Sequence, residues 1–190
     1  SVAYIQGAVK SLKLTSEEEQ EWQAALKSYS YHYENYFAID HDPSQVQGQH
    51  NILRFKPCDM RFFIQDNDNK LDVFKALSAA LIARATVTVV ISKEKAKEIS
   101  LENLQRHAGN SLSIQYADIK NAIEYLPSSA MIRNRVINSL PQEWYVKAAE
   151  KFTYLMPTPV YSNGRLELLN YVRPMALSID YHRYGNLDNK

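Results

Sequence analysis

A strand, a helix and a second strand joined by short links, followed by further strand-helix alternation, predict an α/β protein with a parallel sheet flanked by helices. Two more observations narrow that class. Glycine is rare, five in 190 residues at positions 7, 48, 109, 164 and 185, so neither GxGxxG nor a P-loop can be written. The length suits one sizeable domain. The expected architecture is a Rossmann-like sheet without the glycine fingerprint, with a helical lead-in and an extended C-terminal arm. We place the lead-in and linker at residues 1–48, the α/β core at 49–156 and the arm at 157–190.

The elements follow in order. Ser16 with Glu19 predicts a capping box, with Glu17 and Glu18 favouring the positive end of the helix dipole. Trp22, Leu26, Tyr29, Tyr33 and Tyr36 recur at helical spacing, a stripe that packs on a core. A base-stacking platform would need interleaved cations, and Lys27 is the only one nearby. Residues 39–48 are turn chemistry. Asn51–Phe55 partly alternates as a short strand, and Met60–Ile64 is a stronger one. After the polar turn Asp66–Asn69, Leu71, Phe74, Leu77 and Leu81 share a helical face, and Thr86–Ile91 is a β-branched strand.

The same alternation continues more faintly. Lys93–Glu98 reads as a solvated helix, and Leu101, Leu104 and Ala108 as another that stops at Gly109. Ser111–Gln115 reads as a strand, Ile119, Ile123 and Leu126 as a short helical face, and Ile132–Ile137 as a strand. Pro141 opens a helix carrying Trp144, Ala148 and Phe152 at four-residue steps. Pro157 and Pro159 break an extended stretch, Ser162-Asn163-Gly164 is a turn, and residues 166–185 read as an extended hairpin or arm.

Composition excludes several functions. Lys and Arg number 22 against 21 Asp and Glu, a formal charge of +1, which gives no global attraction to nucleic acid or anionic lipid. The most apolar window, 76–91, is too short and polar to span a bilayer. One cysteine, Cys58, excludes an internal disulfide framework and a CxxC metal site. No charged-then-apolar leader is visible, so a cytoplasmic protein is expected. The chain begins with Ser1 rather than Met, as a piece of something larger would.

No catalytic constellation stands out. Asp66-Asn67-Asp68-Asn69 invites a calcium loop, but Leu71 and Leu77 stand where that loop needs Gly and Glu. Tyr116 and Lys120 match a bare YxxxK pattern without the glycine-rich cofactor turn that such chemistry also requires. Cys58 lies between Lys56 and Arg61, yet a lone cysteine is more often a packing residue than a nucleophile. His32, His41, His50, His107 and His182 have no metal-ligand spacing, and no GxSxG elbow occurs. The segment Asp180-Tyr181-His182-Arg183-Tyr184-Gly185-Asn186 is different in kind. Two aromatics, a His and an Arg within seven residues suit an arm that docks on another domain or subunit.

Gly164–Leu169 and then Ser178–Leu187 resemble the C-terminal end of the proline-catabolic 1-pyrroline-5-carboxylate (L-glutamate γ-semialdehyde) dehydrogenases, which include the bifunctional proline utilisation A proteins. Ser28-Tyr29, His41–Ser44 and Gln49–Pro57 resemble the lead-in to the C-terminal domain of the same proteins. The resemblance runs from about Glu17 onward; its middle matches only in α/β rhythm.

The resemblance implies an aldehyde-dehydrogenase-superfamily domain that has lost catalysis and follows the catalytic module. Its arm would correspond to the β-flap used for oligomerisation. Such a domain docks on the catalytic half of the parent chain and helps close an internal cavity, and a homo-oligomer is the further assembly it allows. The implied interface residues are Arg165, Glu167, Asp180, Tyr181, His182, Arg183, Tyr184 and Asn186. No cofactor is expected on this chain, and NAD is the cofactor of the parent oxidoreductase; no nucleic acid, metal or membrane span is expected.

The chain departs from the family in lacking the Gly-rich nucleophilic Cys and Glu base segments of catalytic members. Arg173-Pro174-Met175-Ala176-Leu177 replaces the usual Arg-Glu-Gln stretch, and Pro174 removes a backbone donor, which is expected to alter flap pairing there. Two other readings compete: a fragment that still binds NAD and contributes to aldehyde oxidation, and an independent protein-interaction module.

Overall fold

The computed structural model describes residues 5–7 and 14–180. Helix α1 (Ser16–His32) starts one residue earlier than the sequence suggests. Thr15 is the extended cap residue: its hydroxyl accepts from Glu18 N at 3.2 Å and its N–H donates to the Glu18 carboxylate at 2.8 Å. Consecutive hydroxyl and acidic residues make two capping registers, and the structure uses the Thr15–Glu18 pair. Trp22, Leu26 and Tyr29 are buried, while Tyr33 and Tyr36 are half-buried in a π-helical turn, Tyr33–Phe37, that ends the helix.

Strands β1 (Gln49–Pro57) and β2 (Asp59–Phe63) come next, then α2 (Lys70–Ile82), β3 (Thr86–Ile91), α3 (Lys93–Glu98), α4 (Leu101–Ala108) and β4 (Leu112–Tyr116). A short α5 (Ile119–Ala122) leads to β5 (Ile132–Val136), α6 (Gln142–Glu150), β6 (Leu155–Met156), α7 (Gly164–Glu167) and β7 (Val172–Asp180). The five-stranded sheet is parallel throughout in the order β4-β3-β2-β5-β6. The α/β class and the β2-α2-β3 crossover are as the periodicity predicts. The strand order reverses between β2 and β5, the place where open α/β sheets form a crevice.

Side chains alternate across the sheet. Met60, Phe62 and Ile64 join a core with α1 and α2, in which Trp22 meets Phe74 at 5.9 Å between ring centroids. Phe63, Val90 and Val136 face a second core built on Trp144 of α6. Each fully buried large apolar side chain contributes about 1.5–3 kcal/mol, so these two layers hold the sheet.

Three expectations are corrected. Phe152 is not on α6: the helix ends at Glu150, and Phe152 is 86% exposed with φ 54°. Residues 166–170 are not extended: Asn163 caps α7, its side chain accepting from Arg165 N at 2.8 Å, and a 3-10 turn follows over Leu168–Asn170. The strand around Asn51–Phe55 is outside the parallel sheet. It pairs with β7, antiparallel from Gln49↔Asp180 to Pro57↔Val172, making a separate two-stranded ribbon from segments over a hundred residues apart.

Candidate functional site

The ribbon's hydrogen-bond parity decides what it exposes. Leu53 exchanges both backbone bonds with His41, at 2.9 and 2.7 Å, so its N–H and C=O point away from β7. Cys58 N donates to Tyr171 O at 2.9 Å, which fixes the opposite phase at the ribbon's base. Even-numbered residues of β1 therefore bond to β7, and odd-numbered residues point outward. On β7 the outward positions are 172, 174, 176, 178 and 180. Pro174 sits opposite Phe55 with its missing donor on the outer edge, so the register runs through it unbroken. Pro174 blunts that edge instead of disturbing the pairing, while Ala176, Ser178 and Asp180 keep outward N–H groups.

The two faces differ. On one, Phe55 packs against Tyr36 and Phe37 with centroids 5.5 and 5.0 Å away, and Ser178 donates to Asn51 at 2.8 Å. The other carries Ile52, Met175, Leu177 and Ile179 toward the tip and Arg54, Lys56 and Arg173 toward the base. Ile179 is 50% exposed; Ile52, Met175 and Leu177 are half-buried. Sequence reasoning missed this face, because its alternation is plain only once 49–57 is laid against 172–180.

The expected interface residues separate. Arg165 is exposed on α7, its guanidinium 3.3 Å from the Tyr36 ring centroid, a cation–π contact tying α7 to the end of α1. Asp180 is exposed at the end of β7. Glu167 is wholly buried and has no surface to present. It pairs with buried Arg135 at 3.3 Å, accepts from Tyr171 Oη at 2.5 Å and from Tyr161 N at 2.9 Å. Arg135 also donates to Thr158 Oγ1 and to Pro159 O, and Tyr29 Oη donates to Tyr161 O at 2.7 Å. This knot joins α1, β5, residues 158–161, α7 and the base of β7. Tyr181, His182, Arg183, Tyr184 and Asn186 lie outside the described residues.

The sheet's carboxyl end is filled by its own side chains. Asn69 caps α2, accepting from Leu71 N and Asp72 N. Asp68, 2% exposed, accepts from Gln65 N at 2.8 Å and from Asn138 at 2.7 Å, bridging the β2–β5 crevice. Burial pushes its carboxyl above the ordinary value, against the pull of those hydrogen bonds. No glycine lies in the turn, and a carboxylate occupies the place where a dinucleotide's pyrophosphate would need backbone donors. This turn therefore does not fit a glycine-fingerprint pyrophosphate site. An open concavity of about 440 Å³ beside β4 includes Lys93, Tyr116 and Asp118. There Tyr116 donates to Glu102 at 2.7 Å, and this bond raises its phenol, the reverse of what an acid–base tyrosine beside Lys120 requires. Cys58 is buried, which raises its thiol despite the nearby Arg133 and Arg173. Among the described residues no three His, Cys, Asp or Glu side chains are grouped to hold a metal ion, and no helix is long and apolar enough to cross a membrane.

No protein-family model and no curated protein matches the sequence. Solved structures do. Proline utilization A from Corynebacterium freiburgense superposes over 92% of this chain with a TM-score of 0.57 and 18% identity. The chain has the fold of an aldehyde dehydrogenase domain. Succinate-semialdehyde dehydrogenase from Burkholderia pseudomallei matches 82% of it at 0.54 and 12% identity. An aldehyde dehydrogenase from Bacillus cereus, solved as an NAD+ complex, matches 81% at 0.51 and 14% identity. The chain spans 14% of the first structure's length and 38% and 37% of the others.

Proposed function

We propose that this chain is a non-catalytic C-terminal domain of an NAD-dependent 1-pyrroline-5-carboxylate (L-glutamate γ-semialdehyde) dehydrogenase of proline catabolism, and that it acts by docking on the parent's catalytic module. The ribbon carries this reading: among the described residues it pairs only two strands, leaves an apolar and cationic face uncovered, and keeps outward donors on β7 beyond Pro174. A partner strand laid along Ala176–Asp180 would take main-chain bonds from that edge while Leu177 and Ile179 supply apolar contact. The buried Glu167–Arg135 pair fixes the ribbon's base, so the docking geometry is set before the partner arrives. The fold shared with proline utilization A supports the choice of parent, and the crevice filled by Asp68 and Asn138 supports a role without bound NAD. Cavity closure and homo-oligomer formation would use the same ribbon and the residues that follow it.

The test is the paired substitution Arg183→Glu with Tyr184→Ala in the parent enzyme. The expected result is looser domain docking and weaker coupled activity, measured by limited proteolysis and by steady-state assay, with this domain's own unfolding midpoint unchanged. Unaltered proteolysis and coupled activity would sink the docking role of the arm.

A further inference from the structure

A groove of about 570 Å³ opens where α1 and its π-helical turn meet β1. Tyr33, Phe37 and Ile39 form one wall; Arg54, Phe55 and Lys56 form the other, with Arg84 at the rim. Its charge is one-sided. Arg54 is neutralised by Asp40, through a bond from Nε at 2.6 Å and a second from Nη2. Among the described residues neither Lys56 nor Arg84 has a carboxylate within ion-pair distance. Lys56 also lies directly across the ribbon from Arg173, a like-charge pair that an anion from outside would relieve.

The second observation is a gap in the edge of β1. The outward backbone is satisfied at Gln49 by Val46 O, at Asn51 by Asp42 and at Leu53 by His41. By the same parity Phe55 points its N–H and C=O outward into the groove, and no described residue pairs with them. An extended chain could add one bridge there.

The third concerns Arg84. It follows α2 as the left-handed residue of a Schellman motif, with φ 61° and the bonds Arg84 N to Leu81 O and Ala85 N to Ala80 O. Glycine is the usual choice at that position. An arginine held there, its guanidinium 5.8 Å from the Tyr33 ring centroid, places a cation on the groove's rim at a backbone cost.

We infer that this groove binds an extended acidic segment of another polypeptide, its main chain bridging Phe55 and its carboxylates meeting Lys56 and Arg84. Aromatic walls take the alternate, uncharged side chains. Lys56 also belongs to the ribbon's cationic face, whereas Arg84 does not, so Arg84→Glu alone distinguishes this groove from the docking face.

The probe is a fluorescein-labelled peptide of alternating Glu and Val, titrated into the full chain by fluorescence anisotropy. Saturable binding that weakens with salt is expected, with a loss of about tenfold or more for Lys56→Glu combined with Arg84→Glu. The control Lys97→Glu, on the far-lying α3, is expected to bind as the unaltered chain does. Arg84→Gly is expected to weaken binding while leaving the unfolding midpoint unchanged or higher, which a purely structural arginine would not do. N-methylation of the central peptide amides is expected to weaken binding as well. Absence of binding, equal binding to the double variant, or equal competition by free glutarate at matched carboxylate concentration would each overturn the proposal; the last would mean that the groove reads a lone anion.

Discussion

Glu167 divides its carboxylate among Arg135, Tyr171 and the backbone of Tyr161, and none of these partners is near it in the local pattern except Tyr171. Such a buried pair is costly to break, because removing one partner strands the other charge away from water. Its surroundings also set a pH response. Burial, reinforced by the Glu167 charge, raises the phenols of Tyr29 and Tyr171 far above their ordinary value of 10.0. In the unfolded chain both ionise near 10, so above that pH the folded state holds protons the unfolded state has released. Their contribution to stability is complete below pH 10 and is lost as the pH rises beyond it. Urea midpoints recorded on either side of pH 10 should therefore fall on the alkaline side, and the fall should be shallower in Tyr171→Phe. An identical slope in the variant would place the alkaline sensitivity elsewhere.

At the scale of elements, the seat of α7 on α1 depends on the absence of one side chain. A Cβ on Gly164 would lie 2.5 Å from Ser28 O and 2.8 Å from Tyr29 Cα, both backbone atoms that cannot swing aside. Gly164 N also donates to Ser28 Oγ at 2.9 Å. Gly164→Ala should thus push α7 off α1 and lower stability by about 1–3 kcal/mol, measured by urea unfolding. A change within error would mean that the two helices separate at no cost. The elements most legible in the sequence were α2 and β3, where apolar periodicity, an Asn cap and a β-branched run agree. Three consecutive glutamates offer more than one capping register, so the sequence points to Ser16 where the structure uses Thr15. Glu167 reads as a surface residue in the sequence because its partner Arg135 is 32 residues away, on a strand whose own pattern gives no hint of a buried charge.

For the whole molecule, the parallel sheet was readable from local alternation, whereas the ribbon was not. Pairing β1 with β7 joins segments more than a hundred residues apart, and a long-range register of that kind leaves no short-range trace. The sequence places the proposed docking arm near residue 180 alone, whereas the exposed ribbon face also draws on Ile52, Arg54 and Lys56 of β1. Pro174 illustrates the same limit: only the ladder's phase reveals that its missing donor faces outward. With the β2–β5 crevice bridged by Asp68 and Asn138, the proposed docking role rests on the ribbon.

The most direct test is a calorimetric titration of this chain into a separately purified catalytic 1-pyrroline-5-carboxylate dehydrogenase module, alongside the Leu177→Asp variant. The account predicts saturable binding by the unaltered chain and at least about a tenfold loss in the variant, whose unfolding midpoint stays the same because Leu177 lies outside both buried cores. Equal binding by both chains, or no heat from either, would contradict it.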